Sequence, residues 1–324
     1  MCKKYLRNLA FFPFSLYNHS KFTKKLSIHY KLEVNMIQCF TKKEFTPFFS
    51  SKNPPSLISV SKVDSDYSRY SRMLHKHNDR FELLFVRSGT GGYRIEQDCY
   101  HIKTGDIVLC NTGVLHDEVL EMNQNLSSFS MAIKGLQLSN LPENFLVPPS
   151  SPPVFNSGEF SPMIDSTFAT LYQLLSSGIP DVEETCHNLM MSILSLVMQI
   201  INQISSISPA GSKENQTLGI RIKEYIDEHY DESLSLDIIS QIFHVNSYYL
   251  SHVFKKEIGL SPMQYVSRRR IGEAQSLLIT TQKSITDISS IVGFGTPNHF
   301  HNQFTKYVGL SPRRFRKTYT LIDN

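Results

Sequence analysis

Four side chains in the first half of the chain have the types and spacing to share one ligand. His75, His77 and Glu82 form the pattern His-x-His-x4-Glu, and His116 follows as Gly113-x2-His116. Three imidazoles and one carboxylate suit a divalent transition metal. A second group lies at the other end of the chain. Phe254–Tyr265 reads FKKEIGLSPMQY and Phe304–Phe315 reads FTKYVGLSPRRF, with six of twelve positions identical at an offset of fifty. Basic residues cluster around both copies, which is chemistry for phosphates and base edges. No Ser/His/Asp order, phosphate loop or dinucleotide fingerprint is evident, so an enzyme is not expected.

The chain that must position these groups has 324 residues, 40% apolar and 19% charged, which excludes a fibre or a charged disordered chain and suggests two domains. Its five cysteines show no CxxC or paired Cys/His spacing, so free thiols in a reducing compartment are expected. No uninterrupted apolar run reaches membrane-spanning length, since Ser192, Ser195 and Asn202 break Leu189–Ile204. The start, MCKKYLRNLAFFPFSLY, has the charge of a signal peptide, but Pro13 interrupts it and no cleavage pattern follows. A cytoplasmic protein is expected.

The net charge of +4 is unevenly spread. Residues 1–35 carry seven Lys/Arg and one Glu, whereas 36–218 are net acidic. Residues 241–319 carry eleven Lys/Arg against three acidic groups. A basic C-terminal segment on an acidic body is an electrostatic footprint for nucleic acid.

Residues 57–135 read as short strands. Phe81–Arg87, Tyr93–Gln97, Tyr100–Lys103, Ile107–Cys110 and Val114–Leu120 alternate with turns at Gly89–Gly92, Gly105-Asp106 and Asn111–Gly113. This spacing predicts a small barrel or sandwich. Residues 142–158 are rich in Pro, Ser and Asn and predict a loop. Ser161-Pro162 predicts a capped helix, and the apolar spacing from Asp181 to about Ser206 predicts another. Its apolar residues cover more than one face, as in ordinary core or in a helix shared between the barrel and a second subunit. Beyond a polar linker at 207–217 the pattern is helical.

The repeat has a mechanical meaning. Gly259 and Gly309 stop helices in the left-handed conformation, and Ser261-Pro262 and Ser311-Pro312 start the next ones. Upstream of each copy lie a short helix, a tight turn and a second helix, which is the helix-turn-helix arrangement. Asn246 caps the second helix of the first copy, and Ser284 with Asp287 resembles a capping box in the second. Two such units joined by a Pro262–Ile279 helix can enter successive major grooves, about 34 Å apart.

Over its last hundred residues the chain resembles the AraC/XylS family of transcription regulators. The segments that carry the resemblance are YLSHVFKKEIGLSPMQYV at Tyr249–Val266, Ile285–Phe294 and Phe300–Phe315, closed by Arg316. Ser240 and Ser289 depart from it, standing where the family usually has Ala. The resemblance implies base contacts from Tyr248, Ser251 and His252 in the first recognition helix and from Asn298, His299 and Asn302 in the second. It places Lys255, Gln303, Arg268, Arg313, Arg314 and Arg316 at or near the DNA backbone, with the neighbouring Arg269, Arg270 and Lys317 touching phosphate or solvent.

The His/Glu pattern resembles the two cupin motifs, with Asn111 in place of a common proline and no closing Asn after Asp117–Leu120. In cupin enzymes the matching residues bind metal. The regulator family retains such residues without metal, so His75, His77, Glu82 and His116 are expected to line an effector pocket, with Tyr93, Arg94, Arg87 and Asp106 as candidate neighbours. No cofactor is expected, and a divalent metal on those four residues is the alternative. The implied fold is α+β: a cupin-like β-barrel followed by helices, then an all-α domain with two helix-turn-helix motifs. The expected domains are a disordered basic extension at 1–35, an effector-binding domain at 36–160, a helical dimerisation or packing segment at 161–206, a linker at 207–218 and a DNA-binding domain at 219–320. The expected function is an effector-controlled transcription activator, with a sugar as effector, double-stranded DNA and RNA polymerase as partners, a homodimeric state and no membrane. A metal-dependent cupin enzyme fused to a DNA-binding module is the alternative.

Overall fold

Strand β2, Phe81–Ile95, is apolar on both faces because both are covered. Phe81, Leu83 and Phe85 point to a core shared with helices, and Leu84 and Val86 to a second core within the sheet. Glu82 falls on the second face by the two-residue period of a strand. This computed structural model describes residues 47–49, 53–66, 72–205 and 217–319, all within the unit Pro47–Asn324. The basic extension at 1–35 and linker residues 207–216 lie outside the described residues. Around β2 stand β1 (Ser56–Val63), β3 (Asp98–Lys103), β4 (Asp106–Cys110), β5 (His116–Lys134) and β6 (Val154–Asn156). They make one antiparallel sheet in the order β1-β5-β2-β4-β6, with β3 also on β2. This is the cupin-like N-terminal part.

Gly89–Gly92 is not a turn. β2 runs through it, with register shifts against β5 between Val86 and Gly92. A Cβ at Gly89, where φ is +81°, would lie 2.2 Å from the Asn125 carbonyl oxygen, so the glycines let β5 cross closely. The turn comes later, at Glu96-Gln97 between the paired Ile95 and Asp98, with Glu96 at φ 55°. β5 extends fourteen residues past Leu120 (to Lys134) because it pairs with both β1 and β2. The Pro-rich segment also contributes β6, whose Val154–Asn156 pairs with Val108–Asp106.

Helix α1 (Ser161–Ser176) has Pro162 in its first turn, but Phe160 occupies the cap position and Ser161 closes a preceding 3-10 turn, so the expected Ser161 cap is absent. Phe168 lies stacked near Phe85 and Phe129, at centroid distances of 6.3 and 5.4 Å. Helix α2 (Glu183–Ser205) buries Cys186, Met190, Ile193, Leu194, Val197 and Ile200 in the same core.

Seven helices follow among the described residues: α3 (Leu218–His229), α4 (Leu236–Ile242), α5 (Ser247–Ile258), α6 (Pro262–Thr280), α7 (Ile285–Ile291), α8 (Pro297–Val308) and α9 (Pro312–Tyr319). Side-chain caps set the starts of most: Ser235 for α4, Asn246 for α5, Ser261 for α6, Ser284 for α7 and Thr296 for α8. Gly259 and Gly309 end α5 and α8 in the left-handed conformation at φ 82° and 78°. The repeated Phe254 and Phe304 are wholly buried, each in the core of its own helix-turn-helix unit.

The two turns solve one problem with different residues. His244, at φ 51°, turns the chain between α4 and α5, and Gly293, at φ 84°, does so between α7 and α8. A Cβ on Gly293 would come 2.4 Å from the Asp231 carbonyl oxygen. Gly293→Ala is therefore expected to cost on the order of 2 kcal/mol or more in a urea melt. Gly295→Ala, facing open space, should shift stability by less than about 0.5 kcal/mol.

Candidate functional site

The second helix of each unit presents a polar face. On α5, Tyr248 is 82% exposed, His252 and Lys255 are exposed and Ser251 is half-buried, while Leu250 and Phe254 turn inward. On α8, Asn298, His299 and Asn302 are exposed and Gln303 is half-buried, opposite buried Phe300 and Phe304. All six candidate base-contact residues thus stand on the outer faces of second helices, and Tyr249 and His301, which neither the repeat nor the resemblance marks, are exposed there with them. Arg313, Arg314 and Lys317 are exposed on α9.

Other arginines are placed differently from expectation. Arg268 faces the sheet, with Nη1 3.3 Å from the buried Asp117 carboxylate and Nη2 3.8 Å from Glu121. Arg269 is 2% exposed, with Nη1 donating to Glu273 at 3.2 Å and the guanidinium over the Tyr230 ring. Arg270 donates to the carbonyls of Tyr230 and Glu232, and Arg316 to those of Leu278 and Lys283. These guanidiniums hold the protein's own acceptors, so Arg268 and Arg316 are corrected from backbone contacts to structural ties.

The four ligand candidates meet inside the sheet domain. His75 and His116 exchange both backbone hydrogen bonds, 3.0 and 2.9 Å, which puts their rings side by side at 4.3 Å. Glu82 reaches them from β2, with Oε2 3.3 Å from His116 Nε2 and Oε1 2.9 Å from His77 Nε2. His77 is held by its own carbonyl, which accepts from Gly113 N–H and the Thr112 hydroxyl. One ligand atom from each of the four residues lies within 4.8 Å of the others.

The imidazoles are oriented from behind. His75 Nδ1 donates to the Met73 carbonyl at 2.8 Å, and His116 Nδ1 to the Val114 carbonyl at 2.9 Å. The Nε2 atoms then face the shared space, and His75 Nε2 is buried without a hydrogen-bond partner. Burial pushes the His75 imidazole well below its ordinary pKa, keeping it neutral. Burial opposes ionisation of Glu82 as well, but His116, His77 and Arg72 outweigh it and hold the carboxylate well below the usual range. Burial also lowers His116, but Cys110 and Glu82 overcome it and hold this imidazole well above its ordinary value, so a metal ion would displace its proton. A neutral, back-oriented imidazole with an unused lone pair beside a carboxylate fits a metal ion.

Of the expected neighbours, Tyr93 is buried with its ring 6.1 Å from that of His116, and Arg94 Nη1 lies 3.7 Å from Asp117. Arg87 is on the other face, bound to Asp165 of α1 and over the Phe129 ring. Asp106 accepts from Lys103 N–H and the Asn156 amide, a turn-holding role. A cavity of about 220 Å³ adjoins the cluster. Arg72, His77, Arg80, Glu82, Glu118 and Ser130 contribute to its wall, and Ile279, Thr280 and Tyr319 reach it from the C-terminal helices. Burial pushes the Glu118 carboxyl up to about 7.

Arg72 and Glu118 were not foreseen, and neither was the docking of the segment before the histidines. Met73 N–H donates to Gln275 Oε1 at 2.7 Å, and Arg72 Nη2 to the Ser276 hydroxyl at 3.2 Å, both on α6. These partners are more than two hundred positions apart, and nothing in either local pattern marks them.

Two outcomes test these placements. Arg268→Ala strips Asp117 of a buried donor and should cost about 1–3 kcal/mol in a denaturant melt, while the salt dependence of DNA binding stays that of the parent. Ser289, 1% exposed with its hydroxyl lacking a hydrogen-bond partner, should gain about 1 kcal/mol on replacement by Ala.

Comparison with known proteins agrees with this architecture. Residues 57–190 match the AraC-like ligand binding domain and residues 239–318 the helix-turn-helix domain family. The HTH-type transcriptional regulator YdiP of Escherichia coli K12 is 28% identical over 283 residues, 87% of this chain and 92% of that protein. The transcriptional activator RhaS of an Enterobacter species is 26% identical, covering 83% and 95% of the two chains. The melibiose operon regulatory protein of Escherichia coli K12 is 36% identical over 93 residues, 29% and 31% of the two. These relatives are transcription regulators, and no described helix is long and apolar enough to cross a membrane. With a ligand-binding domain and a helix-turn-helix domain in one chain, the protein belongs to the AraC family of DNA-binding transcription regulators.

Proposed function

We propose that this regulator is a homodimeric, cytoplasmic transcription activator that reads DNA with α5 and α8 and is controlled by a small polar effector, a sugar, in the cavity beside His77 and Glu82. The observation that carries the proposal is that one cavity is lined both by the ligand-binding sheet and by Ile279, Thr280 and Tyr319 of the DNA-binding helices. An effector held there touches both parts, so it can favour one arrangement of them over another. Serine hydroxyls at Ser59, Ser61, Ser128 and Ser130, with charged groups between them, suit a polyhydroxylated ligand. The names of the RhaS activator and of the melibiose operon regulatory protein support activation and a sugar respectively. Tyr248, Ser251, His252, Asn298, His299 and Asn302 are the proposed base contacts, and Lys255, Gln303, Arg313 and Arg314 the proposed neighbours of the backbone. RNA polymerase is the proposed partner at the promoter, and the α1–α2 region the proposed dimer contact.

Selection of bound sequences from a random duplex pool by the full chain tests the DNA reading. One motif spanning two adjacent major grooves is expected, and Tyr248→Ala or Asn298→Ala should each cost about 1–3 kcal/mol and relax one position. Arg314→Ala should weaken binding to all sequences and reduce the salt slope by about one. Failure to select any motif would overturn the DNA reading, and a sugar panel that shifts neither the melting temperature nor the DNA affinity would overturn the sugar.

A further inference from the structure

We propose that His75, His77, Glu82 and His116 hold one divalent transition-metal ion of the imidazole-binding kind, and that the two helix-turn-helix units respond to its presence through residues 72–75. The metal site stands on the cluster itself. The coupling rests on the DNA-binding reading above.

The donor set is three nitrogens and a carboxylate. Two of the imidazoles have Nδ1 committed to backbone carbonyls, so Nε2 is the ligating atom of each: a free lone pair in His75, and in His116 a nitrogen now paired with Glu82 whose proton the ion would displace. His75 Nε2 is fully buried and unpartnered, and a lone pair left so in a folded interior calls for a ligand. Two atoms bound to one ion at about 2.1 Å can lie no more than about 4.2 Å apart. With a widest separation of 4.8 Å, the cluster needs only a small contraction, within the reach of side-chain rotation at His77 and Glu82.

The route to the DNA-binding helices is short. Met73 belongs to the core of the second helix-turn-helix unit and Leu74 to that of the first. These two adjacent residues therefore wedge between the units, against Gly272 of α6, where a Cβ would sit 2.1 Å from the Leu74 carbonyl oxygen. His75 is the next residue, and its ring bonds back to the Met73 carbonyl. Arg72 bridges the same gap, with Nη1 3.5 Å from Glu82 and Nη2 bonded to Ser276 of α6. A cation taken up by Glu82 replaces Arg72 as its counter-charge and repels the guanidinium. Metal binding thus pulls on His75 and frees Arg72, both of which bear on α6.

Full-length protein stripped with chelator is titrated with Co2+ by visible absorption, with Zn2+ competition and elemental analysis. One ion per chain is expected. Glu82→Gln and His77→Ala, each checked for folding by a thermal melt, should lower the affinity at least about tenfold, and His101→Ala, exposed on β3, should not. No saturable binding, or parental affinity in both ligand variants, overturns the site. On the selected DNA, saturating Zn2+ should change the Kd about fivefold or more in the parent and not in Glu82→Gln. Equal DNA affinity with the site full and empty overturns the coupling while leaving the DNA reading intact. A protein that selects no DNA removes that reading and the coupling with it, and the Co2+ titration still decides the site.

Discussion

The close approach of Met73 and Leu74 to Gly272 governs how the sheet and the two readers are joined. Any side chain at position 272 would occupy the space of the Leu74 carbonyl. Because the contact is backbone against helix, the two surfaces meet without the slack of long side chains. Met73 and Leu74 then enter two different hydrophobic cores, so the interface is part of the interior of both helix-turn-helix units. The helix that spaces the readers is the helix on which the sheet rests.

Charge around this contact is arranged to be costly to disturb. Asp117 is fully buried with Arg94 and Arg268 beside it, and Lys223, 5% exposed, donates to both Glu96 and Asp227. Buried pairs of this kind add little net stability against an apolar replacement, but losing one partner strands the other. They therefore favour one registry between sheet and helices. Arg268 of α6 belongs to this registry, while Arg269 and Arg270 hold acceptors of α6 itself and of the α3–α4 connection, so the basic run there is engaged by the protein's own groups.

The two helix-turn-helix units are built to one plan with unequal parts. Their caps, buried phenylalanines and left-handed glycines coincide, whereas the turn residues are His244 and Gly293. Ser240 bonds the Asp237 carbonyl and accepts from Ser247, whereas its counterpart Ser289 is buried without a partner. The first unit packs on α3 and Leu115 and the second on α9, so identical local rules sit in different surroundings.

What the sequence alone determined is what local rules control. The caps, glycine stops and repeat of the DNA-binding part were legible because each depends on residues within a few positions of one another. The membership of the histidine cluster was legible for the same reason of motif, in the residues His75, His77, Glu82 and His116. Tertiary structure decided the rest. The glycine run became a bulged strand because β5 crosses it, Arg268 turned to the sheet because the buried Asp117 carboxylate lies there, and Arg316 is tied to the carbonyls of Leu278 and Lys283. Arg72 joined Glu82 to α6 across more than two hundred residues. Such contacts depend on how distant segments fold together, and no periodicity or spacing along the chain encodes them.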